Sequence, residues 1–349
     1  MLRREFLTAT GRLAATAGLL RLPVPIASAS TSAAAAAAKD SLFRWERIKP
    51  DAWVVFNGGG NTLVLADRAG AIVVDCKING MGQLLRAEIE SRVGPIAAIV
   101  ITHHHGDHSG GYPAFTGTRA IAHAAALPRI RARAERIASG ARTTPKTVSD
   151  SLLDSLAKDF DVPRSAAAER AVATDVTRMA SVDLTTCVPA EQFADRTELR
   201  IGGTTLELTH VGPAHTDNDV FVRDRQRGIL HTGDLLFHRH HASIDTTAGG
   251  TMQGWLDALG DVRRACDGET VVIAGHGPTG KRVALDEQAT YFERLRDLVA
   301  RERAAGRSRD EIVKLPNTLF PTYGFVAEWP DNLGIAFDEF EKLEKRKTA

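Results

Sequence analysis

The chain has 349 residues, 44 basic against 43 acidic side chains, a formal net charge of +1 and 43% hydrophobic residues. That content suffices for one large or two small domains, and the balanced charge, without a sustained basic block, gives no electrostatic footprint for nucleic acid. Cys76, Cys187 and Cys266 are odd in number and widely spaced, which excludes a disulfide framework and any C-x-x-C site.

The first residues are not expected to be part of the fold. Met1-Leu-Arg-Arg-Glu-Phe-Leu7 carries a twin arginine, followed by a mildly apolar stretch from Leu13 to Leu22 and the small-residue site Ala27-Ser-Ala29. It resembles a Tat-type signal peptide over residues 1–29. That implies the Tat export machinery as a partner, cleavage near Ala29 and a periplasmic or secreted product. The apolar stretch is shorter than the roughly 20 residues a spanning helix needs, so the chain is not expected to span a membrane. Residues 30–44, with their run of alanines, read as a flexible leader, and the folded domain as residues 45–349.

Strands are predicted over 52–56, 62–66 and 71–74, separated by Gly58-Gly-Gly-Asn61 and Asp67–Gly70 as an antiparallel meander. A helix over 83–93, with Leu84, Leu85 and Ile89 on one face, stops at Gly94-Pro95 before a short buried strand over 97–101. Residues 128–193 read as a helical insertion with amphipathic spacing at Ile130, Ala134 and Ile137, then at Leu152, Leu153, Leu156 and Phe160. It could cover the active site, mediate pairing as a homodimer, or pack between two halves of the domain. Strands follow over 205–210, 220–223 and 228–232, then a helix over 252–265 and a strand over 270–274. A C-terminal helical extension covers 281–349, with a helix over 283–305 and the capping-box pattern Ser308-x-x-Glu311. In the proline-rich tail Tyr323 and Trp329 read as core staples, before a helix through Ile335, Phe337, Phe340 and Leu343. No glycine-rich loop of Walker or Rossmann spacing appears, which argues against a nucleotide cofactor.

The chemistry concentrates just past the strand ending at Ile101. Thr102-His-His-His-Gly-Asp-His-Ser-Gly-Gly111 packs His103, His105, Asp107 and His108 into six residues, with glycines that release the backbone. Alternate residues of an extended segment point the same way while Asp107 and His108 diverge, which suits two adjacent metal ions. A histidine tract on a solvated loop is the bland alternative. Against it, His215, Asp234 and His276 follow in order, each at the end of an apolar, strand-like run.

This ordered set resembles the metallo-β-lactamase superfamily of hydrolases, from about Trp53 to about Gly280. The resemblance implies an α/β fold, the αββα sandwich of that superfamily. It implies that His103, His105 and His215 hold one metal and that Asp107, His108 and His276 hold a second, with Asp107 also catalytic. Asp234 falls where the superfamily places a bridging aspartate or, in one class of true β-lactamases, a cysteine. The aspartate makes the set similar to that of thioester hydrolases such as glyoxalase II. Independently of the family, imidazoles with carboxylates and no thiolate suit zinc, iron or manganese, and two Zn2+ ions are expected. Two ions roughly 3.5–4 Å apart would acidify a shared water, giving the nucleophile for a carbonyl.

Among the remaining candidates, Asp75 reads either as the family's aspartate that hydrogen-bonds near the His loop or as a turn residue. His104 is expected to face away from the metals and His231 to be packed in the core. His238, His240 and His241 are expected on a solvated loop near the substrate rim, and His123 and His210 at strand ends. The expected function is an exported binuclear hydrolase of a small-molecule thioester, ester, lactone or lactam. A true β-lactamase and a non-catalytic metal-binding protein are the alternatives.

Overall fold

The computed structural model describes residues 41–348, so the expected signal peptide and nearly all of the leader lie outside the described residues. Apolar residues run almost unbroken through β2 (Ala52–Phe56), β3 (Thr62–Asp67), β4 (Gly70–Val74) and β5 (Ile96–Ile101). Such runs arise where both faces of a sheet are covered. Together with β1 (Arg44–Lys49), β6 (Arg119–His123) and β7 (Glu191–Phe193), they form a seven-stranded sheet in chain order. The first four strands are an antiparallel meander, and β4 to β7 pair in parallel. Parallel pairing demands crossovers, supplied first by α1 (Gly82–Arg92) and then by the metal loop with its single turn α2 (Gly106–Ser109).

A second sheet of five strands has the order β12-β11-β10-β9-β8. It contains β8 (Arg196–Ile201), β9 (Thr204–His210), β10 (Val220–Asp224), β11 (Ile229–His231) and β12 (Val271–Ile273). The sheets share one apolar layer, in which Val54, Leu63, Ile72, Val74 and Val100 meet Leu206, Leu208, Val222, Ile229 and Ile273. The alternate residues, such as Val55, Val64, Val73 and Ile99, turn to the helices on the outer face of the first sheet. Against the second sheet lie α6 (Met252–Arg264), α7 (Arg282–Ala304) and α9 (Glu328–Thr348), with the short α8 (Arg309–Ile312) beside them. This is the αββα layering expected.

Three helices, α3 (Leu127–Thr143), α4 (Pro145–Asp159) and α5 (Ala166–Ser181), stand between β6 and β7. The buried stripe of α3 is Ile130, Ala134, Ala138 and Ala141, small enough for close helix contact. The helices end before residue 191, where Glu191–Phe193 adds an edge strand to the first sheet. They also complete α1. That helix has no side-chain cap of its own, and the buried Asp175 of α5 accepts from Gly82 N at 2.8 Å and Gln83 N at 3.0 Å. Burial raises the Asp175 carboxyl to about 6 in spite of these donors.

Tyr323 packs against the second core and Trp329 is buried within it. The capping box at Ser308 forms, but its helix is a single turn. The cysteines are free and buried. Among the described residues no helix is long and apolar enough to cross a membrane.

Replacing Asp175 with Ala would strand one buried and one half-buried amide at the start of α1, a loss of about 1–3 kcal/mol. Urea unfolding should show the lower midpoint with an unchanged m-value, and Asp175→Asn, which keeps one acceptor, should lose less. An unchanged midpoint for Asp175→Ala would refute the capping role.

Candidate metal centre

Four loops leave the same edge of the sandwich, after β5, β9, β11 and β12, and each carries part of one cluster. His103, His105, His215 and Asp234 offer ligand atoms that lie within 4.8 Å of one another, and so do Asp107, His108, Asp234 and His276. All seven residues singled out in the sequence therefore meet, in two groups joined by Asp234. The aspartate faces both. Its Oδ2 is 3.7 Å from His103 Nε2 and 3.4 Å from His215 Nε2, while Oδ1 is 3.0 Å from His108 Nε2 and 3.5 Å from His276 Nε2. His105 Nδ1 lies 2.8 Å from His215 Nε2, and Asp107 Oδ2 lies 3.0 Å from His276 Nε2. Ligand atoms around one tetrahedral ion at about 2.0–2.1 Å stand roughly 3.3 Å apart, so these spacings fit metal coordination.

The hydrogen-bond network fixes which ring nitrogen faces inward. Asp75 accepts from Thr102 N (2.9 Å), from Thr102 Oγ1 (2.8 Å) and from His108 Nδ1 (2.7 Å). With its proton given to Asp75, Thr102 Oγ1 can accept from His103 Nδ1 at 3.1 Å. His215 Nδ1 donates to Ser243 O at 2.5 Å, and His105 Nε2 donates to Asp245 Oδ2 at 3.0 Å. Four histidines thus commit one nitrogen outward as a donor and keep the other as a lone pair toward the cluster, as metal ligation requires. Two of the inward atoms, His103 Nε2 and Asp234 Oδ1, are buried with no hydrogen-bond partner among the described residues. Buried polar atoms left unpaired are costly, and a bound cation would satisfy both.

The charges point the same way. Burial, reinforced by neighbouring imidazoles, holds His103 well below its usual range and His215 at about 3. At His108 and His276 burial also lowers the pKa, but Asp234 and Asp107 outweigh it, raising His108 strongly and His276 to about 9. Burial would lift Asp107 and Asp234, yet the facing His108 and His276 keep both far below the ordinary carboxylate range. The pocket favours two carboxylate anions, and metal ions can replace the protons that balance them.

Close approach explains two glycines. A Cβ at Gly60 would overlap the His108 ring, and one at Gly275 would overlap Asp234 Oδ1. Beneath them the fully buried Lys77 donates to Val55 O (2.6 Å) and Gly60 O (2.7 Å), pinning the glycine loop, and burial lowers its pKa to about 7. Gly58-Gly-Gly-Asn61 reads in the sequence as a plain turn, and Lys77 and Asp245 carry no motif at all. The triple glycine was the one signal that could have marked this wall.

The other histidines divide differently from expectation. His104 turns from the cluster, but its Nδ1 meets the Asn218 side chain at 3.0 Å. His231 is packed in the core, with Nε2 donating to Asn61 O at 3.0 Å. His238 and His241 are not on a solvated loop. Both are buried: His238 is bonded to Pro278 O in the loop after β12, and His241 is bonded to Tyr291 Oη and to Asn317 of the C-terminal segment, which folds over it. His240 alone of the three borders the cleft. His123 and His210 end their strands and stack at 4.0 Å.

A family model described as the metallo-beta-lactamase superfamily matches residues 55–276. The chain belongs to that superfamily. It is a metal-dependent hydrolase by that membership. A metallo-beta-lactamase from Pontibacter korlensis has the same fold, with a TM-score of 0.50 at 19% identity over 72% of this chain and 99% of that one. A crystal structure of VMB-1 gives a TM-score of 0.50 at 14% identity, over 72% of this chain and 96% of that one. At such identities the likeness carries the fold alone. A search of curated proteins returned no match.

Loss of the Asp75 acceptor should free the His108 ring. Asp75→Asn is expected to weaken metal retention at the Asp107, His108 and His276 group by about 10–100-fold. Graded chelation followed by elemental analysis reads this directly, and a retention curve matching wild type would count against the orienting role.

Proposed function

We propose that this chain is an exported binuclear zinc hydrolase that cleaves an acyl bond of the thioester, ester, lactone or lactam kind. The observation that carries the reading is the split of the Asp234 carboxylate, one oxygen toward each group of ligand-type side chains. His103, His105 and His215 would hold one ion, Asp107, His108 and His276 the other, and Asp234 both. The thiolate-free donor set suits zinc, with iron or manganese as substitutes that leave the ligands unchanged. Two bound ions would acidify a shared water and polarise the substrate carbonyl. Asp107, which lines the cavity beside His276, is placed to orient the attacking water and to hold its proton.

Asp234 supports the thioester and ester side over the β-lactamases in which a cysteine stands at that position. A β-lactamase reading draws on the names of the structural neighbours and on export, which would bring the enzyme to where β-lactams act. The twin-arginine leader supports a periplasmic or secreted location and Tat export.

Purified protein in excess zinc should carry two ions per chain, and a fixed stoichiometry of one would overturn the binuclear reading. Asp107→Ala should lower kcat on the best substrate of a thioester, ester, lactone and cephalosporin panel by about 10²-fold or more, with the circular dichroism spectrum unchanged. Turnover near wild type in that folded variant would remove Asp107 from the reaction. Asp234→Asn should release one ion more readily than wild type during chelation, since a neutral amide bridges poorly. Equal retention of both ions with full activity would make Asp234 a bystander and return the β-lactam reading to the front.

A further inference from the structure

The cavity above the cluster, about 240 Å3, has an aromatic wall. Three phenylalanines from separate parts of the chain form it. Phe160 comes from the end of α4, Phe237 from the segment after β11, and Phe325 from the C-terminal tail. The rings are tied to the cluster, with Phe237 stacked on His276 at 5.0 Å, Phe325 at 5.1 Å from His276, and Phe237 and Phe325 6.0 Å apart. Phe325 is held at φ 55°, a left-handed conformation that a bulky side chain avoids. Such strain persists only where the surroundings over-determine it, and here Gly324 N donates to Arg239 O and Glu328 N to Phe325 O, each at 3.0 Å.

Apart from the histidines of the cluster, the charged lining among these rings is acidic. Besides Asp107 and Asp234 the cavity is bordered by Asp159 and Glu328, and no lysine or arginine among the described residues contributes to it. The adjoining groove shares Asp159, Phe160, His276 and Phe325, and adds Asp161 and Arg44. Arg44 is already engaged, its guanidinium 3.7 Å above the Phe56 ring and 3.0 Å from Glu46. Lys158 stands 3.9 Å from Asp159, and at 84% exposed against 45% it is the more strongly screened of the two. Arg133 packs against Gly106 and does not border the cavity. The floor holds the buried, unpartnered Asp234 Oδ1 described above, so wall and floor belong to one ligand site.

Resting on the hydrolase reading, we infer that the substrate is a neutral or cationic ester or thioester with an aromatic or bulky apolar group, and that Asp159 and Glu328 disfavour substrates bearing a carboxylate. The rings supply contact area for the apolar group, and the two carboxylates repel a second anion at the mouth. β-Lactams and glutathione thioesters both carry carboxylates and fall in the disfavoured class.

The test uses three phenylacetyl esters that differ only in the leaving group's tail, which is neutral, ammonium-bearing or carboxylate-bearing. With zinc-loaded full-length protein, kcat/KM for the carboxylate ester should be at least roughly tenfold below the other two. In Asp159→Asn with Glu328→Gln the ratio of carboxylate to ammonium ester should rise by about tenfold. The matching amides, which resist hydrolysis, are ranked in parallel by equilibrium dialysis on both proteins. A wild type that turns over or binds the carboxylate compound as well as the neutral one, or a double variant with an unmoved ratio, overturns the inference. If the amides rank as expected while no ester is hydrolysed, the selectivity stands and the hydrolase reading fails.

Discussion

Asp234 is a carboxylate with 3% of its surface exposed, and every other feature of the centre follows from keeping it charged there. An isolated anion at that depth would be neutralised by protonation. The facing His108 and His276 prevent this, while His103 and His215, also within 3.7 Å of its oxygens, stay neutral and need a defined tautomer to present lone pairs to the cluster. Thr102 and Ser243 provide that definition for His103 and His215 from outside, as Asp75 does for His108 and Asp245 for His105. The cluster is thus a set of coupled choices, in which moving one proton reorients a neighbour, and a cation at each group resolves all of them together.

The sandwich places these partners without long loops. β4 and β5 lie side by side, so Asp75, just past β4, reaches the backbone of Thr102 just past β5. The second sheet brings the segments after β11 and β12 into contact, with Gly275 N donating to Gly233 O at 2.8 Å beneath Asp234. The sheets therefore do more than carry the ligands. The pairing of β4 with β5 sets Asp75 beside Thr102, and these two orient the His108 and His103 rings.

The fold and the seven-residue cluster were legible because their signals are local. Apolar runs mark β2 to β5, and the spacing of His103, His105, Asp107 and His108 sits in a single loop. Two of the strands that were missed have a weak pattern. β1 is a polar edge strand, RWERIK, half-exposed along its length, and β7 has three residues, whereas β8, also missed, carries the period-2 alternation of a half-buried strand and was readable. What stayed hidden in the site is what distance in sequence hides. Asp245 lies 140 residues from His105, and Phe160, Phe237 and Phe325 share a wall that no periodicity announces. His238 and His241 were misplaced for the same reason, since the distant loop after β12 covers the first and the tail the second.

The helices between β6 and β7 hold one apolar core with the outer face of the first sheet, and through Asp175 they secure the start of α1. Their contribution to the cavity is confined to Asp159, Phe160 and Asp161, at the end of α4. Robustness and adaptability are thereby assigned to different stretches of the same segment. The helix bodies are constrained by the interior they fill, and Phe160 packs against it too, whereas the exposed Asp159 at the same tip can vary with little effect on that interior. New substrate preferences can arise there without renegotiating the foundation.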